Sequence, residues 1–566
     1  MKRKHVISLI CVLTFIVLKV NAQFIINGKL PVFDKTTNTY IISIPQESFE
    51  KDYETEIILN EDSGWNNIKI NNETINKKYT FKNITANKNY LLSANTNNNK
   101  DLEAFITFTY LPIIEIQGVM GYDYTTGIMN LHNPNNTDIK DIYIKAKWRG
   151  GSTNSFDRNK RNYKIKTIDN SGNKKDCSFL DMRKDNNWIL DAGQVDMFRM
   201  RNRIATELWN DFAAKPYYIE KEPNAKNGTT GKIVEVIINN EYRGIYSLSD
   251  AIDRKKLKLK KYDQDGTIHG QLWKTKGYGL ATFWSKPYDY DNNNDIWDVF
   301  ETKYPDIEDV CPTDYSTLWE AINFVSTSDD NTFTKEVSKY FDIPVLIDYY
   351  IFLQLINGID NIGKNMYWAV YDKTIDKKLT LAVWDLDATV GQNYMCSPLH
   401  PNYVRYDNPL NINGINIFYR LSQLNVDDFN NKLKERYFYL RQNKLKEDYI
   451  IQLYNSYYNL ISNCGAATRE EKKWSYNSDI GGHELNFEKE ISYINDWIKN
   501  RLIFTDNFFS MLESNTTILQ IEHNTNNKYT YDIYGRNAYF KGIYINGSLK
   551  FEITAKRLYA ASQRVL

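Results

Sequence analysis

The densest polar stretch of the chain is Gly358-Ile359-Asp360-Asn361-Ile362-Gly363-Lys364-Asn365, which is followed by Trp384-Asp385-Leu386-Asp387-Ala388-Thr389-Val390-Gly391. Two apolar runs, residues 366–371 and 379–384, lie between these segments and flank a polar turn, a pattern typical of a β-hairpin. Upstream, apolar residues recur near the helical period from Phe341 onward and predict a helix that ends where the polar stretch begins. The sequence therefore predicts a helix, a polar loop, and a hairpin whose second strand returns to that loop.

This arrangement would gather Asp360, Asn365, Asp385 and Asp387 at one end of the hairpin. Such oxygen ligands suit Mg²⁺, which prefers one or two carboxylates together with waters and substrate phosphates. An Asp five residues before an Asn, with a later Asp at the end of a strand, is the order of base, metal-binding Asn and metal-binding Asp in protein kinases. The HRD and DFG sequences of kinases are absent. The alternative is a pair of ordinary turns, because Asp, Asn and Gly are the usual turn residues.

Patterns outside this stretch predict an α+β protein. Residues 23–112 alternate short β-rich runs with Asn-rich turns and predict an all-β module. Strands still dominate up to about residue 280, around one amphipathic helix at 196–212, whereas residues 316–360 and 415–515 carry helical periodicity. With 566 residues, 42% of them hydrophobic, the chain can bury several cores. We expect a β-rich lobe followed by a mainly α lobe.

A basic segment before the helix at 196–212 offers candidate phosphate-binding groups. Arg149 and the turn Gly150-Gly151-Ser152 precede a strand that carries Lys164 and Lys166. The backbone N–H groups of such a turn can bind phosphate, and a lysine can pair with its charge. An alternating Lys-Ile-Lys strand is also typical of an ordinary half-exposed strand. The segment alone therefore leaves both interpretations open.

Several motifs, taken in order, are similar to those of one known family. They are Arg149-Gly150-Gly151-Ser152-Thr153; Lys160-Arg161-Asn162-Tyr163-Lys164-Ile165-Lys166, which looks like K-K-S-Y-x-I-K; Asp196 with Met200-Arg201-Asn202, which looks like D-x-S-x-x-R-N; residues 234–248, which look like V-E-V-y-l-N-G-x-Y-x-G-x-Y; and residues 365–367 and 384–391, which look like N-x-Y and W-D-L-D-x-x-x-G. Over roughly residues 115–510 the chain resembles the spore coat protein H (CotH) kinase family, in a secreted Bacteroidetes-type form.

The resemblance implies an atypical protein-kinase-like, two-lobed domain over residues 113–515, with a β-rich N-lobe and an α-rich C-lobe. It implies transfer of the γ-phosphoryl group of ATP to Ser or Thr of protein substrates, with Mg²⁺ or Mn²⁺. Asp360 would be the catalytic base that receives the hydroxyl proton. Asn365, Asp385 and Asp387 would hold the metal. The cofactor would be contacted by a further set of residues: Lys160, Lys166, Arg149, Tyr246 and Asp250.

The two ends of the chain indicate export. Residues 1–22 combine a basic start, an apolar stretch and small residues before Gln23, as a secretory signal peptide does. Its removal would leave 67 basic and 70 acidic residues, a net charge of −3, which argues against a nucleic-acid partner. Residues 516–566 are similar to the C-terminal sorting domains of Bacteroidetes-type secreted proteins and form a predicted β tail. We expect a secreted or cell-surface protein with no transmembrane segment after cleavage.

Two alternatives to a kinase stay open. A catalytically inactive surface or coat-type protein would keep the fold and bind partners, and a carbohydrate-active surface protein would use paired Asp residues as acid and base. Asp385 and Asp387 lie two residues apart on a strand and share a face, which argues against inverting glycoside chemistry across a substrate. Four cysteines remain after the signal peptide and permit either two disulfides or free thiols: Cys177, Cys311, Cys396 and Cys464.

Overall fold

The computed structural model describes residues 24–60, 64–96, 101–155, 157–403 and 414–512. The predicted signal peptide 1–22 and β tail 516–566 lie outside these residues. The strands are β1 Phe24–Ile26, β2 Val32–Asp34, β3 Thr39–Ser43, β4 Tyr53–Leu59, β5 Trp65–Ile70, β6 Glu73–Thr74, β7 Lys78–Phe81, β8 Tyr90–Thr96, β9 Asp101–Thr109, β10 Ile113–Gly118, β11 Thr125–His132, β12 Ile139–Arg149, β13 Asn162–Thr167, β14 Asn187–Asp191, β15 Gly231–Ile238, β16 Glu241–Ser249, β17 Gln271–Thr275, β18 Ile296–Trp297, β19 Phe300–Tyr304, β20 Met366–Val370 and β21 Thr380–Val383. The α-helices are α1 Arg201–Phe212, α2 Arg254–Leu257, α3 Ser316–Thr327, α4 Asp330–Tyr340, α5 Ile343–Ile356, α6 Asn416–Gln423, α7 Phe429–Arg441, α8 Glu447–Ser462, α9 Ala466–Trp474 and α10 Phe487–Ser510. The architecture is α+β, as predicted.

The first nine strands form two sheets ahead of the predicted kinase-like region. One sheet has the order β1-β4-β7 and the other the order β2-β3-β9-β8-β5-β6. Alternation along these strands directs every second side chain into a shared core. There the rings of Phe81, Tyr90 and Phe108 pack edge to face, an arrangement that the ring quadrupole favours.

The next strands close into a seven-stranded barrel in the order β10-β11-β12-β13-β14-β16-β15. The parallel pairing of β10 with β15 completes the closure. The interior is apolar, with Ile165 and Trp188 fully buried. Because side chains alternate along β13, Lys164 and Lys166 lie on the opposite face from Ile165, outside the barrel.

A five-stranded sheet of order β18-β19-β17-β20-β21 follows, and helix α5 packs against it. The predicted hairpin is confirmed, because β20 and β21 pair antiparallel with Met366 opposite Val383. The predicted helix is also confirmed as α5, which packs against β21. From Val345 to its last residue this helix is buried on every side, as expected for a helix with apolar residues all round.

The predicted start of the helix at 196–212 is wrong by five residues. Helix α1 begins at Arg201, because the Asp196 carboxylate accepts hydrogen bonds from the backbone N–H groups of Phe198 and Arg201. Arg199 in this turn has a left-handed backbone (φ 59°). Competition of a carboxylate for backbone N–H groups favours such a turn over a helix.

Helix α9 is attached to the barrel by a buried charge cluster centred on Glu470. Its Oε1 accepts hydrogen bonds from Lys160 Nζ at 2.6 Å and from Arg199 Nε at 2.7 Å. Its Oε2 accepts from the backbone N–H of Ile245 on β16 at 2.8 Å. All three side chains are almost completely buried, so Lys160 and Arg199 share one carboxylate partner in a place with little access to water.

Replacement of Glu470 by glutamine is expected to lower the free energy of unfolding by about 3–5 kcal/mol, since it leaves buried cations uncompensated. Urea unfolding followed by tryptophan fluorescence measures the change. The control is Glu488→Gln, at an exposed position on α10. A loss at Glu470 no larger than at Glu488 would contradict the assigned role.

Candidate active site

The candidate site begins at Asp360, in the loop between α5 and β20. Helix α5 ends because Asn357 adopts the left-handed conformation (φ 52°) and bonds back to Leu353 O. The Asp360 carboxylate then accepts hydrogen bonds from Lys364 Nζ at 2.9 Å, Asn365 Nδ2 at 2.8 Å and the Tyr278 hydroxyl at 3.1 Å. Three donors from two chain segments therefore fix the orientation of this partly exposed side chain.

Asn365 and Asn361 join this loop to the hairpin. Asn365 has a left-handed backbone (φ 56°) just before β20, and its amide nitrogen is used by Asp360, so its amide oxygen is the atom left for a cation. The buried Asn361 donates from Nδ2 to Trp384 O at 2.8 Å and to Asn365 O at 3.2 Å. The loop and the end of β21 are thereby held together.

Asp385 and Asp387 lie in the turn after β21. Asp385 also has a left-handed backbone (φ 59°), and non-glycine residues in this conformation are concentrated at functional sites. Asn202 on α1 positions the turn, because its Oδ1 accepts from Leu386 N at 3.0 Å while its Nδ2 donates to Asp191 Oδ2 at 2.6 Å. One amide side chain thus fixes the turn relative to Asp191 at the end of β14.

The site has an excess of negative charge. Burial, followed by the carboxylates of Asp385 and Asp191, raises the pKa of Asp387 well above its usual range. Burial also raises the pKa of Asp385, while Lys274 and Arg149 act in the opposite direction. Within the described ranges, neither carboxylate of the Asp-Leu-Asp turn makes a hydrogen bond or ion pair. A cation bound there would supply the missing positive charge.

Cations from two sheets approach the same place. Arg149 on β12 and Lys274 on β17 lie over the Trp384 ring, with their charged groups 5.2 and 5.5 Å from its centroid. Burial lowers the pKa of Lys274 to about 8. Burial and then Lys166 lower the pKa of Lys164 to about 8. Neighbouring cations that lower one another's pKa are typical of an anion-binding surface.

The donor set fits a divalent cation that also binds phosphate. In the part of the chain that the structure describes, no three His, Cys, Asp or Glu side chains are grouped so that they alone could hold a metal ion. Mg²⁺ does not need such a group, because it takes one or two carboxylates and completes its octahedron with waters and phosphate oxygens. Asn365, Asp385 and Asp387 supply hard oxygen ligands of this kind.

The structure brings together only some of the residues predicted to form the site. Asp360 contacts Asn365 directly. Arg149 acts electrostatically on Asp385, and Asp385 acts on Asp387. Lys166 lies beside Lys164, with its ammonium 4.8 Å from the centre of the Tyr124 ring.

Three predicted ATP contacts have their partners elsewhere. The Lys160 ammonium is buried against Glu470, and burial lowers its pKa to about 7. Tyr246 is fully buried in the barrel. Asp250 pairs with Lys256 at 2.8 Å and Arg183 at 3.3 Å. All three side chains thus contact other parts of the protein, and these contacts do not favour the predicted binding of nucleotide.

Sequence reasoning missed several polar residues of the site, among them Tyr278, which donates to Asp360. Asp191 is the last residue of β14 and Lys274 lies within β17, both far from residues 358–391 in the chain. They reach the site through the closure of the barrel and through the pairing of β17 with β20. Asn202 lies in the motif Met200-Arg201-Asn202, but the resemblance assigned it no role. Lys364 stands between Asp360 and Asn365, and its spacing of four from Asp360 was the available signal for their ion pair at 2.9 Å.

A model of the CotH kinase protein family matches residues 146–505 of the chain. The chain belongs to the CotH kinase family. The matched region runs from β12 to α10 and includes every residue of the site described above. A search among curated proteins finds no match. Membership of the CotH kinase family indicates a kinase-like function and a kinase-like fold. The same membership suggests the use of ATP and a divalent metal and a protein substrate.

Two further properties of this CotH-family chain concern its cysteines and its helices. Its four cysteines in the described residues are free thiols: Cys177, Cys311, Cys396 and Cys464. Among the described helices, none is both long enough and apolar enough to cross a membrane.

Proposed function

We propose that the protein is a secreted or surface-displayed kinase that transfers the γ-phosphoryl group of ATP to Ser or Thr hydroxyls of extracytoplasmic proteins. In this proposal the seven-stranded barrel is the N-lobe, and the five-stranded sheet with its helices is the C-lobe. The observation that carries the proposal is the convergence of Asp360, Asn365 and the Asp-Leu-Asp turn with cations from the barrel. Phosphoryl transfer depends on this combination of positioning and charge neutralisation.

Asp360 is the proposed base for the acceptor hydroxyl. Its carboxylate is partly exposed and is oriented by Lys364, Asn365 and Tyr278. A base must lie within hydrogen-bond reach of the proton that it receives, so this fixed orientation favours transfer from a hydroxyl docked beside the loop. The Lys364 ammonium, 2.9 Å from the carboxylate, helps to hold it in this orientation.

The phosphate groups would lie between the barrel and the hairpin. Arg149, Lys164 and Lys274 would neutralise phosphate oxygens, while Asn365, Asp385 and Asp387 would hold Mg²⁺ or Mn²⁺. The bound metal supplies charge stabilisation of the phosphate oxygens during transfer. Asn202 keeps the Asp-Leu-Asp turn in place for this role.

Metal-dependent nucleotide binding tests the proposal. Calorimetric titration of the purified protein with ATP is expected to give saturable binding with MgCl₂ or MnCl₂ and much weaker binding with EDTA. A hydrolysis-resistant ATP analogue gives the same result without turnover. Absence of binding with both metals would contradict a kinase and favour a binding protein that has kept the fold.

Replacement of Lys274 by methionine is expected to raise the KM for ATP about 10–100-fold, the size expected from 1.5–3 kcal/mol for a bond to a charged group. Steady-state kinetics at varied ATP measures the effect. Lys335→Met, at an exposed position on α4, is the control and should leave the KM unchanged. An unchanged KM in the Lys274 variant would exclude its phosphate contact.

A further inference from the structure

A large cavity lies where the β2-β3-β9 side of the six-stranded sheet meets β16 and α9, and none of its lining residues belongs to the candidate active site. Its volume is about 430 Å³, within the range of small-molecule sites. Its walls come from the β2–β3 turn, the segment before β8, β9, one tyrosine of β16 and the outer face of α9. Most of the lining side chains are hydroxyls, amides or cations.

The threonine hydroxyls of the β2–β3 turn already donate hydrogen bonds within the protein. The buried Asp34 carboxylate accepts from Thr36 Oγ1 at 2.8 Å and from Thr37 Oγ1 at 2.7 Å, and Thr39 Oγ1 donates to Thr37 O at 3.1 Å. The backbone N–H of Tyr242 also donates to Asp34. The three threonine oxygens can therefore only accept further hydrogen bonds, so they favour a ligand that carries O–H donors.

Among the described residues that line the cavity, one cation has no carboxylate partner. Arg469 forms a two-point ion pair with the buried Glu235, with distances of 2.8 and 2.9 Å. Lys473 pairs with Glu241 at 2.8 Å. Lys472, exposed on the same helix, makes no ion pair with any described residue. The described lining thus carries one unpaired cation, Lys472, while the Asp34 carboxylate accepts hydrogen bonds from its own turn and from Tyr242 N. Lys472 can pair with one carboxylate group at a time.

Two more groups complete the lining. Asn89 is exposed and makes no hydrogen bond to a described residue, so its amide can both donate and accept. Phe105 on β9 leaves 41% of its surface exposed, an apolar ring beside polar groups. Hydroxyl acceptors, a free amide and an exposed ring together match the hydroxyls and C–H faces of a sugar.

We propose that this cavity binds a carboxylated saccharide, with Lys472 facing the carboxylate and the threonine oxygens accepting from the sugar hydroxyls. A phosphate or sulfate ion fits less well, because it lacks hydroxyl donors for the three acceptor oxygens and meets only one free cation. The site would give the N-terminal sheets a glycan-binding role that is separate from phosphoryl transfer.

The test is calorimetric titration of the purified protein with trigalacturonate and with a hyaluronan tetrasaccharide, beside neutral galactotriose. Saturable binding of at least one acidic sugar is expected, at least tenfold tighter than galactotriose. Lys472→Glu should weaken it tenfold or more, and Phe105→Ala should weaken it as well. Lys335→Glu, remote and exposed, should leave it unchanged.

Several results would overturn the proposal. They are no saturable binding of either acidic sugar, equal affinity for galactotriose, full affinity in the Lys472 variant, or displacement of the sugar by inorganic phosphate at equimolar concentration. Phosphoryl transfer by the Lys472→Glu variant should equal that of the unmodified protein. Loss of sugar binding with transfer intact therefore separates this site from the proposed kinase function.

Discussion

Asp385→Asn is expected to lower kcat/KM for ATP-dependent phosphoryl transfer by at least about 10²-fold, a typical loss when one charge-stabilising group is removed. Asparagine has almost the same shape and also tolerates the left-handed backbone found at this position. The substitution therefore removes a negative charge while keeping the turn. Without that charge the turn holds a divalent cation less tightly, and the metal-dependent part of ATP binding should decline in parallel.

Two measurements complete this prediction. Transfer and calorimetric ATP binding are compared with those of Asp448→Asn, which changes an exposed aspartate on α8 and should leave both unchanged. Raising the MgCl₂ concentration should partly restore transfer in the Asp385 variant. Transfer within threefold of the unmodified protein would exclude Asp385 as a metal ligand.

Asp360→Asn is expected to lower kcat by about 10²–10⁴-fold, the usual contribution of a general base. The amide cannot receive the proton of the acceptor hydroxyl. It can still accept a hydrogen bond from Lys364, so the loop should keep its shape. Magnesium-dependent ATP binding should remain within a few-fold of the unmodified protein, because Asp360 is not among the proposed metal ligands.

The two aspartate variants are therefore distinguished by what they lose. The Asp360 variant should keep nucleotide binding and lose the chemical step, whereas the Asp385 variant should lose both. Single-turnover transfer with enzyme in excess separates the chemical step from binding. Equal losses of ATP affinity in both variants would contradict separate roles for base and metal ligand.

Local patterns predicted the parts of the site that lie close together in the chain. The apolar runs around residues 366–384 identified the hairpin, and its geometry implied that Asp385 returns to the loop of Asp360. Helix α5 was predicted because apolar residues recur near the helical period from Phe341 onward. These features depend on hydrogen bonds between near neighbours in sequence, which is why the pattern was sufficient.

The residues that the sequence did not place depend on contacts between distant segments. Asp191 and Lys274 enter the site only because the barrel closes and β17 pairs with β20. Lys160 was assigned to phosphate from its motif, yet its ammonium is buried against Glu470 on α9, about three hundred residues later in the chain. A charged residue in a motif does not reveal whether its partner is a ligand or a distant side chain.

The most direct test of the central claim is transfer of radiolabel from γ-labelled ATP by the purified protein, with Mg²⁺ or Mn²⁺ and a Ser/Thr-containing acceptor protein. The account predicts label on the acceptor or on the protein itself, stable to conditions that hydrolyse acyl phosphates, and lost in both Asp360→Asn and Asp385→Asn. Label that persists in both variants, or no label with either metal on any acceptor, would contradict it.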